Sequence, residues 1–420
     1  MATVDYRLLT VDTSEASNII MKLPFKLKDL TTNRGIATIY LVMMCVQFVA
    51  IEGYGVSNVK VALMALAPLL LIFKVPYMTK ATVWCSLYMV VVLFCAFQQD
   101  YVRFSTLGYL GMFLITYIVY YNLLYKKHAF SLMYFIRLLR IMILAYVFCL
   151  LAQQVFVLIG IRNFPLINLY NQYFLAIDKL PTWTQEPSSS ARILGVLYYA
   201  YLKCCEIVEE EKLSLKRVFE LPHRWITIGF LYTMVTMGSG TAFISLMILA
   251  MYFLKRKALW YVVPIFIGLY FTLPLMNIKQ LDRAVNVINA TMTLDVEEVR
   301  RVDMSASSRI TPILNTLNMD LSKSETWFGT GTQSREQQQR SYMQQQGKMG
   351  NIEQYGLISY IVSLIFVFSC CMHFVSIPTI MFFAGVGGIV GNIAYGWGIL
   401  MLFTAVKYFQ IVYKNKYELN

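Results

Sequence analysis

Charge is scarce in this 420-residue chain. Only 14% of the residues are charged, against about 25% in a soluble globular domain. Histidine is scarcer still, with three in all. Cysteine is missing from the one long polar stretch: Cys45, Cys85, Cys95, Cys149, Cys204, Cys205, Cys370 and Cys371 all lie in apolar runs or at their ends. These shortages exclude a soluble enzyme, a disulfide framework and a Cys/His metal site. No internal repeat is found. The first residues, "MATVDYRLLTVDTSEASN", lack the basic-then-apolar layout of a cleaved signal, so the first spanning helix is expected to act as the insertion signal.

What the chain has is apolar length. It is 58% hydrophobic with a mean hydropathy of +0.57, and uncharged runs of about 20 residues recur. The runs are continuous and do not alternate, so the expected fold is all-α: a polytopic membrane protein, not a barrel. Twelve spans are read, near 35–52, 58–74, 82–98, 105–125, 140–160, 191–208, 225–237, 241–254, 258–275, 356–374, 378–393 and 397–413. The stretch from Trp225 to Leu254 is too long for one upright helix. Basic residues flank both of its ends, so it goes out and back, bending at Gly238-Ser239-Gly240. The run 378–413 is read the same way, with its bend near "GNIAYGWG".

This topology divides the chain into a tail (1–34), a nine-span portion (35–275), a long outer loop (276–355), a three-span portion (356–413) and a tail (414–420). A second outer segment covers 161–190. Both tails fall in the cytoplasm. Of the 36 Lys and Arg residues, 22 lie in cytoplasmic segments and 5 in short outer loops, as the positive-inside rule requires. The net charge of +13 is therefore a topology signal, and nucleic acid is not an expected partner. All three histidines, His128, His223 and His373, fall on the inner side. An outer histidine base is thereby excluded.

Outer-face residues that could carry chemistry are few. Arg309, in "SASSRITP", lies just ahead of or within the first turn of a helix expected to open on Thr311-Pro312 as N-cap and N1. There it could bind an anion or pair with Asp303 or Glu325. Arg192 enters the sixth span on the outer side, where an arginine either faces a wet cavity or snorkels to the headgroups. Glu186, six residues earlier, could pair with Arg192, act as a base, or be a solvated acid. "ETWFGTGTQSREQQQR" carries Gly329, Gly331, Arg335 and Arg340. A Walker loop needs a lysine and a preceding strand, and this stretch has neither. A turn remains, within a loop of about 80 residues that is partly helical and glutamine-rich.

Four stretches resemble the bacterial O-antigen and capsule polysaccharide polymerases (Wzy type), of the superfamily shared with O-antigen ligases. They are "EPSSSARILGVL", "MGSGTAFISLMILAMYFLK", "SSRITPILNTLNMDLSKSETWFGTGTQS" and "NIEQYGLISYIVSLIF", spanning about 186–371. The resemblance implies a GT-C-like membrane fold in the bacterial inner membrane and glycosyl transfer at its periplasmic face. Donor and acceptor would be undecaprenyl-pyrophosphate-linked oligosaccharides, and a chain-length regulator is a possible partner. Arg309 and Arg192 match the family's arginines best, with Arg335 and Arg340 weaker, as ligands of the leaving pyrophosphate; Glu186 is the candidate base. No cofactor or metal is implied. The ligase branch uses a histidine in its long outer loop, and 276–355 has none. That favours polymerase over ligase, with a lipid-linked oligosaccharide flippase as the non-enzymatic alternative.

Overall fold

The computed structural model describes residues 31–46, 58–99, 102–160, 180–184, 186–254, 286, 289–293, 295–302, 304–331, 348–388, 390–391, 393 and 394–417. Every described element is helical. Among the described residues five helices are long and apolar enough to cross a membrane: α4 (Lys80–Phe97), α5 (Phe104–Lys127), α6 (Leu132–Leu158), α14 (Ile352–Cys370) and the part Ala394–Tyr413 of α16 (Ala394–Tyr417). The expected count of twelve is not reached among them. Shorter helices stand at α1 (Asn33–Cys45), α9 (Arg224–Thr236) and α10 (Gly240–Phe253), and the run near 58–74 is split into α2 (Asn58–Ala65) and α3 (Ala67–Phe73). The expected span 258–275 lies outside the described residues.

The sixth expected span is α7 (Pro187–Glu209), and it is not among the five. From Ser189 to Cys205 nearly every side chain on it is buried. A helix enclosed by protein on all sides can carry Tyr, Ser and Gly, because packing and not lipid is its solvent. Gly195 sits at such a close crossing, where an added Cβ would come 3.1 Å from the Ser245 Cβ on α10. At the α1–α16 crossing, a Cβ on Gly398 would meet the Cys45 backbone nitrogen at 3.0 Å.

Side-chain pairs fix the relative directions of the helices. On α6 and α7, Gln153 meets Thr182 just ahead of α7 and Arg140 meets Tyr201, so the two run antiparallel. On α7 and α9, Tyr198 meets Thr227 and Tyr201 meets His223, again antiparallel. On α7 and α10, Gly195 meets Ser245 and Tyr199 meets Tyr252, so these run parallel. The chain therefore turns back between α9 and α10, as read from the charges. Gly238 makes the turn at φ +67°. By the same kind of pairing, α5 and α16 run parallel (Phe113 with Trp397, Tyr125 with Tyr408).

One end of this bundle is basic. Arg34, over the Tyr134 ring at 4.9 Å, shares that end with Lys74, Lys126, Lys127 and the start of α9. Buried Asn122 pins the non-helical segment before α4 there, donating to the Val75 and Tyr77 carbonyls and accepting from Thr79. Lys407 donates to the Phe368, Ser369 and Met372 carbonyls and so caps the C-terminus of α14.

A polar chain closes the same end. Arg140 donates to the Tyr201 hydroxyl at 3.3 Å, which lies 2.7 Å from His223 Nδ1. His223 Nε2 meets Glu209 at 2.7 Å, and Glu209 accepts from Arg217. Burial pushes His223 below its ordinary 6.5, outweighing the pull of Glu209. Burial alone would raise Glu209, but bonds from Arg217 and His223 hold it below 4.5. A neutral imidazole fits both bonds: Nε2–H donates to the carboxylate and Nδ1 accepts from Tyr201. Both groups bind protons less well folded than unfolded, so their contribution is full above the unfolded values and is lost as pH falls. The thermal midpoint of the purified chain should therefore begin to fall just below pH 6.5 and fall again below 4.5. His223→Gln should remove the first step and leave the second.

Candidate functional site

The opposite end holds Glu186, Arg192 and the turn at Gly329 and Gly331. The segment Leu180–Glu186 reaches α7 through a closed set of hydrogen bonds. The Ser190 hydroxyl lies 2.6 Å from Thr182 Oγ1 and 2.8 Å from Thr184 Oγ1. Gln153 on α6 pairs with the Thr182 backbone in both directions. Trp183 donates its indole N–H to the Ala145 carbonyl at 2.8 Å. This set fixes the first turn of α7, with Pro187 at N1.

Arg192 follows on that helix, partly buried. Its Nη1 donates to the Tyr395 hydroxyl at 2.6 Å, and its guanidinium carbon lies 5.7 Å from the Tyr395 ring centroid. Its Nε is buried without a hydrogen-bond partner. An unmade bond on a buried charged donor costs on the order of 1–3 kcal/mol or more. The only other orphans among the described residues are Arg140 Nε and Thr241 Oγ1. Thr241 is 2% exposed and lies one turn before Ser245, the residue that meets Gly195. Because α7 and α10 run parallel, Thr241 sits at the level of Ala191–Arg192.

Three parallel helices, α7, α10 and α16, therefore begin close to one level, with Arg192 among their N-termini. The positive ends of their dipoles add to the arginine's charge. The level is sunken. Phe113 stacks on Trp397 with centroids 6.0 Å apart, and α5 continues outward from Phe113 to Phe104, roughly 13 Å at the helical rise. The chain before α16 explains the depth. Helix α15 (Ile377–Ile380) runs into a π-turn (Met381–Gly385), and 386–393 is not continuous helix. Gly387 and Gly388 turn it with φ of +76° and +64°. Tyr88, midway along α4, donates to the Val390 carbonyl, and Trp397 donates to that of Gly391. The span expected over 378–393 is thus interrupted inside the bundle, and the bend lies deeper than the sequence reading placed it.

Glu186 does not pair with Arg192. It is exposed and accepts from Ser188 at 3.1 Å. Six helical positions turn a side chain through 600° and raise it about 9 Å, which separates the two. Arg309 needs a correction as well. Thr311-Pro312 does not open a helix: α12 (Met304–Leu317) begins earlier, and Pro312 lies inside it. The Thr311 hydroxyl meets that of Ser307 one turn back, at 3.0 Å, instead of capping. An interior proline costs about 3 kcal/mol. The apolar face that carries Leu314 and Ile310 against Ala290 and Val299 carries the helix through it. Arg309 is therefore mid-helix and has no terminus of its own; its side chain is outside the described set. Arg335 and Arg340 also lie outside the described residues.

Gly329 and Gly331 form turns, at φ +79° and +95°. Gly329 follows α13 (Ser324–Phe328) and packs on the start of α14. Thr330 donates its N–H to the Glu353 carbonyl at 2.8 Å. Gln99, at the end of α4, donates to the Phe328 and Gln354 carbonyls at 2.6 and 2.8 Å. This stretch is a fastening between loop and membrane helix. Tyr395 and Gln99 were not foreseen. Tyr395 stood in "GNIAYGWG", legible only as a bend.

Among the described residues no group of three or more His, Cys, Asp or Glu could hold a metal ion. Comparison with known proteins gave no match to any family model, curated protein or solved structure.

Proposed function

We propose that the chain is a glycosyltransferase of the bacterial inner membrane that polymerises undecaprenyl-pyrophosphate-linked repeat units at the periplasmic face. The observation that carries this reading is Arg192: a cation sunk below the non-basic end of the bundle, with a neutral partner and an unpaired donor. In the reaction, a sugar hydroxyl of one lipid-linked unit attacks the anomeric carbon of another. A glycosidic C–O bond forms and the C–O bond to pyrophosphate breaks. The electron pair leaves on the lipid pyrophosphate, and the hydroxyl proton passes to a base. Arg192, and Arg309 with Arg335 and Arg340 from the long loop, would neutralise the leaving group. Such preorganised charge is worth on the order of 3–4 kcal/mol for a key contact. Glu186, exposed at the head of α7, would serve as base or acceptor orienter. The twelve-span count, the GT-C-like fold, a chain-length-regulating partner and both termini in the cytoplasm belong to the same proposal; the clustering of basic residues at the end where the described chain starts and stops supports the orientation.

A lipid-linked oligosaccharide flippase is the second reading. The interruption at 386–393 favours it, because transporters bind cargo at broken helices near mid-membrane. A deletion strain separates the two. Polymerase function predicts single repeat units on the surface and no long chains; flippase function predicts loss of both. Complementation by Arg309→Ala, with insertion checked by immunoblot, should leave the single units and restore no long chains. Wild-type chain lengths in that strain would remove Arg309 from the site.

A further inference from the structure

The charge of Arg192 is held by one neutral oxygen. A guanidinium offers five N–H donors. In Arg192 one of them reaches an acceptor, the Tyr395 hydroxyl. The neighbouring hydroxyls do not serve it, because Thr182, Thr184 and Ser190 bond one another and the Pro181 carbonyl. Glu186 is engaged by Ser188. Among the described residues no carboxylate lies within ion-pair distance of Arg192.

Tyr395 is itself firmly placed. It is the second residue of α16. Two residues on, Trp397 is 1% exposed, stacks on Phe113 and donates to the Gly391 carbonyl. The ring that faces the guanidinium is therefore anchored to the bundle, and its hydroxyl fixes the Nη1 corner. Nε is without an acceptor and sealed from water, so no ligand oxygen reaches it. Nη2 makes no hydrogen bond among the described residues and is not sealed. A guanidinium N–H in this state donates a charge-assisted bond to a phosphate oxygen. A carboxylate at this spot would have taken that donor; the single tyrosine hydroxyl does not.

We propose that Tyr395 is a positioning residue that holds Arg192 by its Nη1 corner and ring face, leaving the Nη2 corner to donate to an oxygen of one phosphate group. The ligand class is a phosphate ester or pyrophosphate. The inference rests on the reading of Arg192 as part of the substrate site, and it names the lipid-linked form as the source.

The test is binding to the full chain purified in detergent. The probes are undecaprenyl pyrophosphate and inorganic pyrophosphate, titrated separately. Undecaprenyl pyrophosphate should bind the wild type, and Arg192→Lys should weaken it more than tenfold, because a point charge cannot replace the fork. Tyr395→Phe keeps the ring and removes the acceptor, and should weaken binding about three- to tenfold at an unchanged thermal midpoint. In the Arg192→Lys background, Tyr395→Phe should have no further effect. A purely structural Tyr395 would lower the midpoint and act additively with Arg192→Lys, and either result overturns the proposal. So would wild-type affinity in Tyr395→Phe. Inorganic pyrophosphate bound as tightly as the lipid form would overturn the lipid source. Chain length in the deletion strain is read independently: long chains there, with this binding pattern intact, would remove the polymerase reading and leave the phosphate site standing.

Discussion

On the proposed function, Arg192→Ala should reduce polymerisation by about a hundred- to a thousandfold while the protein still inserts and folds. The magnitude is that of losing one preorganised donor to a developing anion. Folding should survive because Arg192 contributes little that holds the bundle: one hydrogen bond to a tyrosine, set against a buried Nε with no partner. Removing it deletes an unpaired donor along with the charge, so the thermal midpoint should stay level or rise slightly. Arg192→Lys should recover less than tenfold of the loss. The measurement is the surface-glycan length distribution in a deletion strain carrying each variant, with expression and detergent melting as controls. Normal chain lengths in Arg192→Ala would take the residue out of the mechanism. A collapsed melting curve would mark it as structural instead. Glu186→Gln belongs in the same series. Its exposed position predicts a smaller effect than that of Arg192.

The helical class and the turn between α9 and α10 were legible because each rests on local chemistry. Uncharged length makes a helix in lipid, and two basic flanks force an even number of crossings. Arg192 stood out for the same reason: a cation at the start of a long apolar stretch breaks a simple pattern. Its partner did not. Tyr395 lies 203 residues away, and nothing local distinguishes it from the chain's 28 other tyrosines. The depth of the site was hidden too. A hydropathy reading sees 378–413 as two apolar spans and cannot see that Gly387 and Gly388 interrupt the first one inside the bundle. Arg309 shows the opposite failure. Thr311-Pro312 is a sound local start signal, but Ile310 and Leu314 pack on Val299 and Ala290, and the helix forms across the proline. Tertiary burial outweighed a local cue that is worth about 1 kcal/mol as a cap.

Gly356→Ala should be the most disruptive single-methyl change in the fastening between loop and membrane helix. Gly356 lies inside α14 with φ +82° and ψ 163°, a backbone region open essentially to glycine alone. An added Cβ would stand 2.1 Å from the Trp327 carbonyl oxygen and 2.6 Å from the Phe328 carbonyl carbon. Both obstacles are backbone, so no side-chain rotation relieves them. Gly329 faces it in kind, with a Cβ there 2.7 Å from the Gly356 nitrogen. Two glycines are needed because two backbones touch. Strain and overpacking together should cost about 3–5 kcal/mol. The loss should read out as a lower melting temperature and faster proteolysis near 324–356. Gln99→Leu removes two hydrogen bonds but no backbone contact and should cost about 1–3 kcal/mol. Gly108→Ala is the control: a Cβ there meets nothing within 4 Å, and in mid-helix it should be neutral or stabilising by up to about 1 kcal/mol. If Gly356→Ala melts like Gly108→Ala, the two backbones are not in contact in the folded protein. If it melts early yet leaves long chains on the cell, the fastening is separable from catalysis. The expected result lies between these: a destabilised loop and shortened chains.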